Sequence, residues 1–280
     1  MPISEHATDA ELALGLATEA GAALLAVRAE ATSAGPVELG RLGDRAAQEL
    51  LAAALARHRP GDAVRSEEAE DDPARQAADR VWIIDPLDGT REYSERGRTD
   101  WAVHVALWSA RESVGESARG PAGESARGPA AGIPRDGELV AGAVALPALG
   151  EAYGTVAPSH PPARDRGARV RIAVSRSRPP AFLAELAGRI GAELVAMGSA
   201  GAKTMAVVRG EVDAYLHGGG QYEWDSAAPV AVAVAAGLHA SRLDGGPLRY
   251  NRPDPLLPDL FICRPELVEL LRAGLAEVNP

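Results

Sequence analysis

Apolar residues recur at helical spacing near the N-terminus, in unbroken runs mid-chain, and in alternating helix- and strand-sized blocks afterwards. Thr8-Asp9-Ala10-Glu11 has the form of a capping box and opens an Ala- and Leu-rich helix to about residue 28. Residues 31–43 read as a loop. A second helix is expected over 44–58, with Asp44 at its N-cap position and Pro60-Gly61 stopping it. Its Arg57-His58-Arg59 tail complements the helix dipole. A short strand at 64–68 ends in two acids, and 69–79 reads as a loop. Val81-Trp82-Ile83-Ile84 is a buried strand that Asp85-Pro86 should stop, because proline offers no amide hydrogen. Strands are expected at 101–108, 139–146 and 151–156. The first part is therefore α+β.

Residues 158–169, rich in Pro, Arg and Gly, read as a junction between domains at 1–157 and 168–280. Beyond it, strands at 170–174, 192–197, 212–216, 238–243 and 260–263 alternate with helices. The helices fall at 181–190, 200–208 and 225–236, with a last one from Pro265. Pro229 fits such a helix only in its first turn. The alternation makes the second part α/β, with a mixed or parallel sheet. The octapeptide at 115–122 repeats letter for letter at 123–130. Eight residues of this composition are too few for a solenoid unit and read as a lengthened surface loop.

A net charge of -10 disfavours a nucleic-acid polymer or a membrane surface as partner. A small anionic substrate stays open, since a bound cation inverts the local field. Cys263 is the single cysteine, so no intrachain disulfide or thiolate zinc cluster is available and a reducing compartment is expected. No basic leader and no uncharged apolar run of membrane length are seen, and the expected location is cytoplasmic.

Asp85 and Asp88 follow a strand that should be rigid, and offer hard oxygen ligands of the kind Mg²⁺ accepts. Gly89 permits close backbone approach and Thr90 adds a hydroxyl. Glu67 and Asp225 also sit at element ends, and Asp44 is a fifth acid. The plain alternatives are solvated aspartates after a strand, and helix N-caps at Asp44 and Asp225. Crowded acids repel unless a cation is present, which a site for two or three Mg²⁺ would supply. The haloacid-dehalogenase nucleophile, Asp-x-Asp-Gly-Thr, is not matched, because Leu87 occupies the nucleophile's place. Cys263 lies in an apolar strand and reads as an inert thiol.

Asp85-Pro86-Leu87-Asp88-Gly89-Thr90, with Ser66-Glu67-Glu68 before it and Glu223-Trp224-Asp225-Ser226-Ala227-Ala228 after it, resembles the inositol monophosphatase superfamily. The continuation Arg91-Glu92-Tyr93 looks most like its CysQ branch, the 3'(2'),5'-bisphosphate nucleotidases. Gly198-Ser199-Ala200-Gly201-Ala202-Lys203 looks like the actinobacterial members. The resemblance implies an αβαβα layered fold, a Mg²⁺-dependent phosphatase and a homodimer. Position by position, it makes Glu67, Asp85, Asp88 and Asp225 carboxylate ligands and Leu87 a carbonyl ligand. Thr90 would orient the attacking water, and Asp44 would accept its proton or hold a third metal. Gly89 and Thr90 amides would grip the phosphate, and Ser199 and Ala200 would face the substrate. Arg41-Leu42-Gly43-Asp44 departs from the family's Thr-x-Ala-Asp pattern.

The implied reaction is hydrolysis of the 3'-phosphate of adenosine 3',5'-bisphosphate, and of its sulfated form, to AMP and phosphate by metal-activated water. It would serve sulfur assimilation. Arg91 is either a contact to a second phosphate or a surface charge. Glu92 pairs with Arg91 or supports the turn. Tyr222 and Trp224 are either core aromatics or an adenine platform. The alternatives are an inositol monophosphatase, a fructose 1,6-bisphosphatase, or a non-catalytic metal- or phosphate-binding protein.

Overall fold

The computed structural model describes residues 3–110, 136–165 and 167–278. The expectation for the repeated octapeptide at 115–130 lies outside them. Thr8 caps helix α1 (Asp9–Glu30) through a complete capping box with Glu11, as its sequence requires. Helix α2 (Pro36–His58) begins well before residue 44, correcting the loop expected at 31–43. Pro36 is the reason: at the first helical position its fixed φ starts a helix rather than breaking one. Asp44 therefore lies inside α2 and is not its N-cap. By length and hydropathy alone α1 is apolar enough to cross a membrane, although Glu19 interrupts it and no uncharged run in it reaches that length. Here its Leu12, Leu16 and Leu24 are fully buried in the core with α2 and the first sheet.

That sheet runs β1 (Ala63–Ser66), β2 (Arg80–Asp88), β3 (Ala102–Ala110), β4 (Gly137–Leu146), β5 (Glu151–Gly154), in that spatial order. A 3-10 turn, Pro73–Ala77, interrupts the loop expected before β2. The second sheet has the order β7 (Glu193–Met197), β6 (Arg171–Ser175), β8 (Ala214–Tyr222), β10 (Leu256–Cys263), β9 (His239–Ser241). It is mixed: β6 pairs in parallel with β7 and β8, and β10 runs antiparallel to its neighbours.

The strands' apolar runs are continuous because both faces of each sheet are covered. In β2, Trp82 and Ile84 face α1 and α2, while Val81 and Ile83 face a central core. That central core also holds α5 (Ala200–Val208), α6 (Glu223–Ala235), and Tyr215 and Ile262 of the second sheet. The outer face of the second sheet, with Ile172, Leu216 and Phe261, packs on α4 (Phe182–Ile190) and α7 (Val268–Glu277). The result is five layers, αβαβα, in which residues from both halves of the chain share the middle core.

Two details position the site. First, β2 does not stop at Asp85-Pro86 but continues to Asp88 across a bulge. Asp85 pairs with His104 and Asp88 with Ala102, so three steps on β2 oppose two on β3. Proline is tolerated at such a bulge because the ladder is already interrupted there. Second, α6 begins at Glu223, two residues earlier than expected, with Tyr222 as its cap residue. Asp225 is not the N-cap; its Oδ2 accepts the Tyr222 backbone N–H at 2.7 Å. Pro229 lies beyond the first turn, contrary to expectation, and withholds the N–H that the Asp225 carbonyl would have accepted.

Candidate active site

The bulge puts both β2 carboxylates on the face that looks into the central core, and α6 brings Asp225 to them from the other half of the chain. Ligand atoms of Asp85, Asp88 and Asp225 lie within 4.8 Å of one another. Asp85 and Asp88 are buried, at 1% and 7% exposure. Asp85 Oδ1 accepts the Leu87 N–H at 3.0 Å, while its buried Oδ2 has no hydrogen-bond partner. Burial, with Glu67, Asp88 and Asp225 close by, raises the Asp85 carboxyl well above the usual range. Burial and Asp88 push Asp225 up to about 6. Glu67, just past β1, is exposed and lies outside the close triad. Even so, desolvation and the charge of Asp225 push it up to about 7.

Asp88 behaves in the opposite way. Burial would raise it, but His104, Lys203 and the Gly201 N–H outweigh that and hold it below the ordinary carboxylate value. Its Oδ2 accepts the Gly201 amide at 2.7 Å in the first turn of α5. A side chain at position 201 would put its Cβ 2.2 Å from His104 Nε2, so only glycine permits this approach. His104 is fully buried, with Nε2 3.1 Å from Asp88 Oδ2 and Nδ1 3.0 Å from the Trp224 carbonyl. Two acceptors flank the ring, and although burial opposes charging, they raise its pKa.

Thr90 Oγ1 lies 3.3 Å from Asp44 Oδ1 and 3.2 Å from the Leu87 carbonyl. The hydroxyl thus bridges α2 and the β2 turn. Burial and nearby Glu68 push Asp44 up to about 6, against the hydrogen bond from Thr90. Gly89 carries the chain out of β2 and into the short helix α3 (Thr90–Ser94) at φ 88°, a left-handed conformation that disfavours a side chain.

A cavity of about 510 Å³ opens above these groups. Its lining includes Asp88, Thr90, Arg91, Arg178, Ser199 and Asp225. Ser199 caps α5, accepting the Ala202 N–H at 2.8 Å, and Ala200 also lines the cavity. The Gly198-Ser199 turn is held from the first half of the chain by Asp100. Its carboxylate accepts the Gly198 N–H at 2.6 Å and its carbonyl the Ser199 N–H at 3.1 Å. Glu92 pairs with Arg176 at 2.7 Å and not with Arg91, which leaves Arg91 exposed at the cavity. Tyr222 and Trp224 stack on each other at 4.9 Å and neither lines this cavity, so the adenine platform expected of them finds no support there.

Sequence reasoning assigned no part to His104, Lys203 or Asp100. His104 had a visible signal: a lone imidazole in an otherwise apolar strand facing the central core. Lys203 is buried, donates to the Ser199 carbonyl at 2.8 Å and sits 5.0 Å from the Tyr215 ring. Burial pulls it below the ordinary lysine value against the charges of Asp88 and Glu92.

A deep set of hard carboxylate donors beside a cavity with basic walls is the site of a metal-dependent enzyme acting on a phosphorylated small molecule. Residues 3–115 and 130–276 match the inositol monophosphatase family, to which the chain belongs. It is 50% identical over 279 residues to the 3'-phosphoadenosine 5'-phosphate phosphatase of Mycobacterium leprae, covering 97% of this chain and 94% of that one. It is 28% identical to the Escherichia coli 3'(2'),5'-bisphosphate nucleotidase CysQ, over 68% of this chain and 71% of that one. Among solved structures, CysQ from Bacteroides thetaiotaomicron superposes with a TM-score of 0.70 at 25% identity, covering 91% of this chain and 97% of that one.

Proposed function

We propose that the chain removes the 3'-phosphate of adenosine 3',5'-bisphosphate, and of its sulfated form, giving AMP and phosphate. The observation that carries this is the triad of Asp85, Asp88 and Asp225 under a cavity flanked by Arg91 and Arg178. One phosphate can sit over the acids while guanidinium groups face a second. The 50% identical relative named for this reaction points the same way.

The donor set fits Mg²⁺: all oxygen, from two buried aspartates and the half-buried Asp225, with one carboxylate oxygen left without a partner. Asp85, Asp88 and Asp225, with Glu67 and the Leu87 carbonyl, would hold two or three ions. When bound, Mg²⁺ supplies Lewis-acid charge neutralisation and makes water a stronger nucleophile near neutral pH.

The chain's own groups do the remaining work. Thr90 orients water through its hydroxyl, and Asp44, behind it, takes up the proton. The Gly89 and Thr90 amides, with Ser199 and Ala200 across the cavity, hold the phosphate in line. Asp100 and the Arg176–Glu92 pair keep the two halves of the chain at a fixed distance across this gap. Within the same reading the chain works in a reducing, cytoplasmic setting as a homodimer.

Phosphate release should be measured on adenosine 3',5'-bisphosphate, inositol 1-phosphate and fructose 1,6-bisphosphate, with and without Mg²⁺. The expected result is Mg²⁺-dependent preference for the nucleotide. A clear preference for inositol phosphate would overturn the substrate assignment and leave the metal site standing.

A further inference from the structure

Two residues before Glu67 stands Arg65, and two before Asp225 stands Glu223. Both are buried, at 3% and 1% exposure, with Arg65 Nη1 3.8 Å from Glu223 Oε2. Neither lines the substrate cavity. The turn at Asn251 and Arg252 is threaded between them. Glu223 accepts the Asn251 N–H at 2.9 Å and the Arg252 N–H at 2.7 Å. Arg65 Nη1 donates to the Arg252 carbonyl at 2.8 Å, and Arg75 Nη2 donates to the same oxygen at 2.9 Å. Arg75 also bonds the Asn251 side chain and is anchored by Asp71 at 2.6 Å. Asn251 sits at φ 59°, in the left-handed region where asparagine is better tolerated than most residues. The Arg65 guanidinium lies 5.7 Å from the Trp224 ring, next in sequence to Asp225.

Well-packed apolar side chains commonly fill such a space at less cost than buried charges. What the charged cluster adds is direction, because each group bonds at a defined angle to a defined partner. It joins β1, the 3-10 turn, the 250s turn and the first residue of α6. On α6, Glu223 and Asp225 are two residues apart and so point to different sides of the helix, one to this cluster and one to the acid triad.

We propose that Arg65, Glu223 and the turn at Asn251 and Arg252 are a positioning device for the metal site. They lock the start of α6 to the end of β1, fix Asp225 relative to Glu67, and so set divalent-cation affinity rather than the rate of the chemical step. The inference rests on the metal-site reading above.

The test is calorimetric titration of the full chain with Mg²⁺, and with Mn²⁺, for the wild type, Glu223→Gln, and the double variant Arg65→Met with Glu223→Gln. The double variant removes both partners and leaves no orphaned charge. In both variants the cation Kd should weaken about tenfold, as for other groups that orient metal ligands. Turnover at saturating Mg²⁺ should stay within about threefold of wild type, which a general loss of structure would not spare. Arg65→Lys, which keeps the charge but loses the fork of donors, should weaken binding too, and serves if a variant above fails to fold. A folded double variant that binds cation as tightly as wild type overturns the proposal alone. A wild-type chain that binds no cation, with Asp225→Asn identical to it, overturns the metal-site reading together with it.

Discussion

Strand β2 carries charge at both ends, and the two ends are opposites. At its start, Arg80 bonds Asp62 and Asp9, each at 2.9 Å, and Asp9 also holds Arg59 at 2.8 Å. Burial works against the Asp9 carboxylate, but the two guanidinium groups prevail and its pKa is lowered. At its far end, Asp85 and Asp88 meet Asp225 and Glu67, and three of these four acids have raised values. The first end is complete in itself. On the metal-site reading proposed above, the second is completed by a cation brought from outside, and that would separate a structural charge cluster from a binding site.

The comparison breaks most readily at Asp88. Asp88→Asn should lower Mg²⁺-dependent phosphate release by at least about a hundredfold, beyond what the loss of a supporting group costs. The circular dichroism spectrum should stay native. Undiminished turnover would remove the triad from the chemistry.

A second measurement sharpens the contrast through pH. Glu67 and Asp225, pushed up to about 7 and 6, keep protons in the folded chain that the unfolded chain releases near pH 4. Between roughly pH 4 and 7 the folded state binds more protons, so these groups' contribution to stability is lost as pH rises. A cation competes with those protons, so its stabilising effect grows in the same direction. Mg²⁺ at a hundredfold excess over Kd should raise Tm by on the order of 5 °C at pH 7.5, and by clearly less at pH 5. An equal gain at both values would contradict the crowded-acid account.

The smallest effect belongs to the other end of the strand. Asp9→Asn should cost under about 1 kcal/mol, the usual worth of a partly exposed ion pair. Because its folded pKa is lowered, its contribution is present at neutral pH and disappears on acidification. The Mg²⁺ dependence of activity should not move; a change there would mean that the two ends are coupled.

Much of this was readable beforehand where a local rule decides the outcome. Thr8 and Glu11 announced the start of α1, and Val81 to Ile84 announced a strand covered on both faces. The order of elements in the second half followed from alternating periodicity. The sequence misled where one residue type has two uses. Pro36 begins a helix where a loop was expected, Pro86 sits in a bulge where the strand was expected to stop, and Pro229 lies deeper in its helix than the first turn it was given. The acids of the site were identifiable one by one, but their meeting depends on α6 crossing back to the first sheet, which no local pattern encodes. His104, Lys203 and Asp100 went unassigned for that reason: each has a partner about a hundred residues or more away, Trp224 for His104, Asp88 for Lys203 and Gly198 for Asp100.

The bulge in β2 also explains the spacing of its two aspartates. In a flat ladder, acids three positions apart would point away from each other, one toward α1 and α2 and the other inward. The irregularity turns an odd interval into an even one. Grafting this hexapeptide onto an ordinary strand would therefore split the pair between two surfaces, whereas deleting either Pro86 or Leu87 would leave an even interval that a regular strand keeps on one face. The kink is as much a part of the signature as the letters.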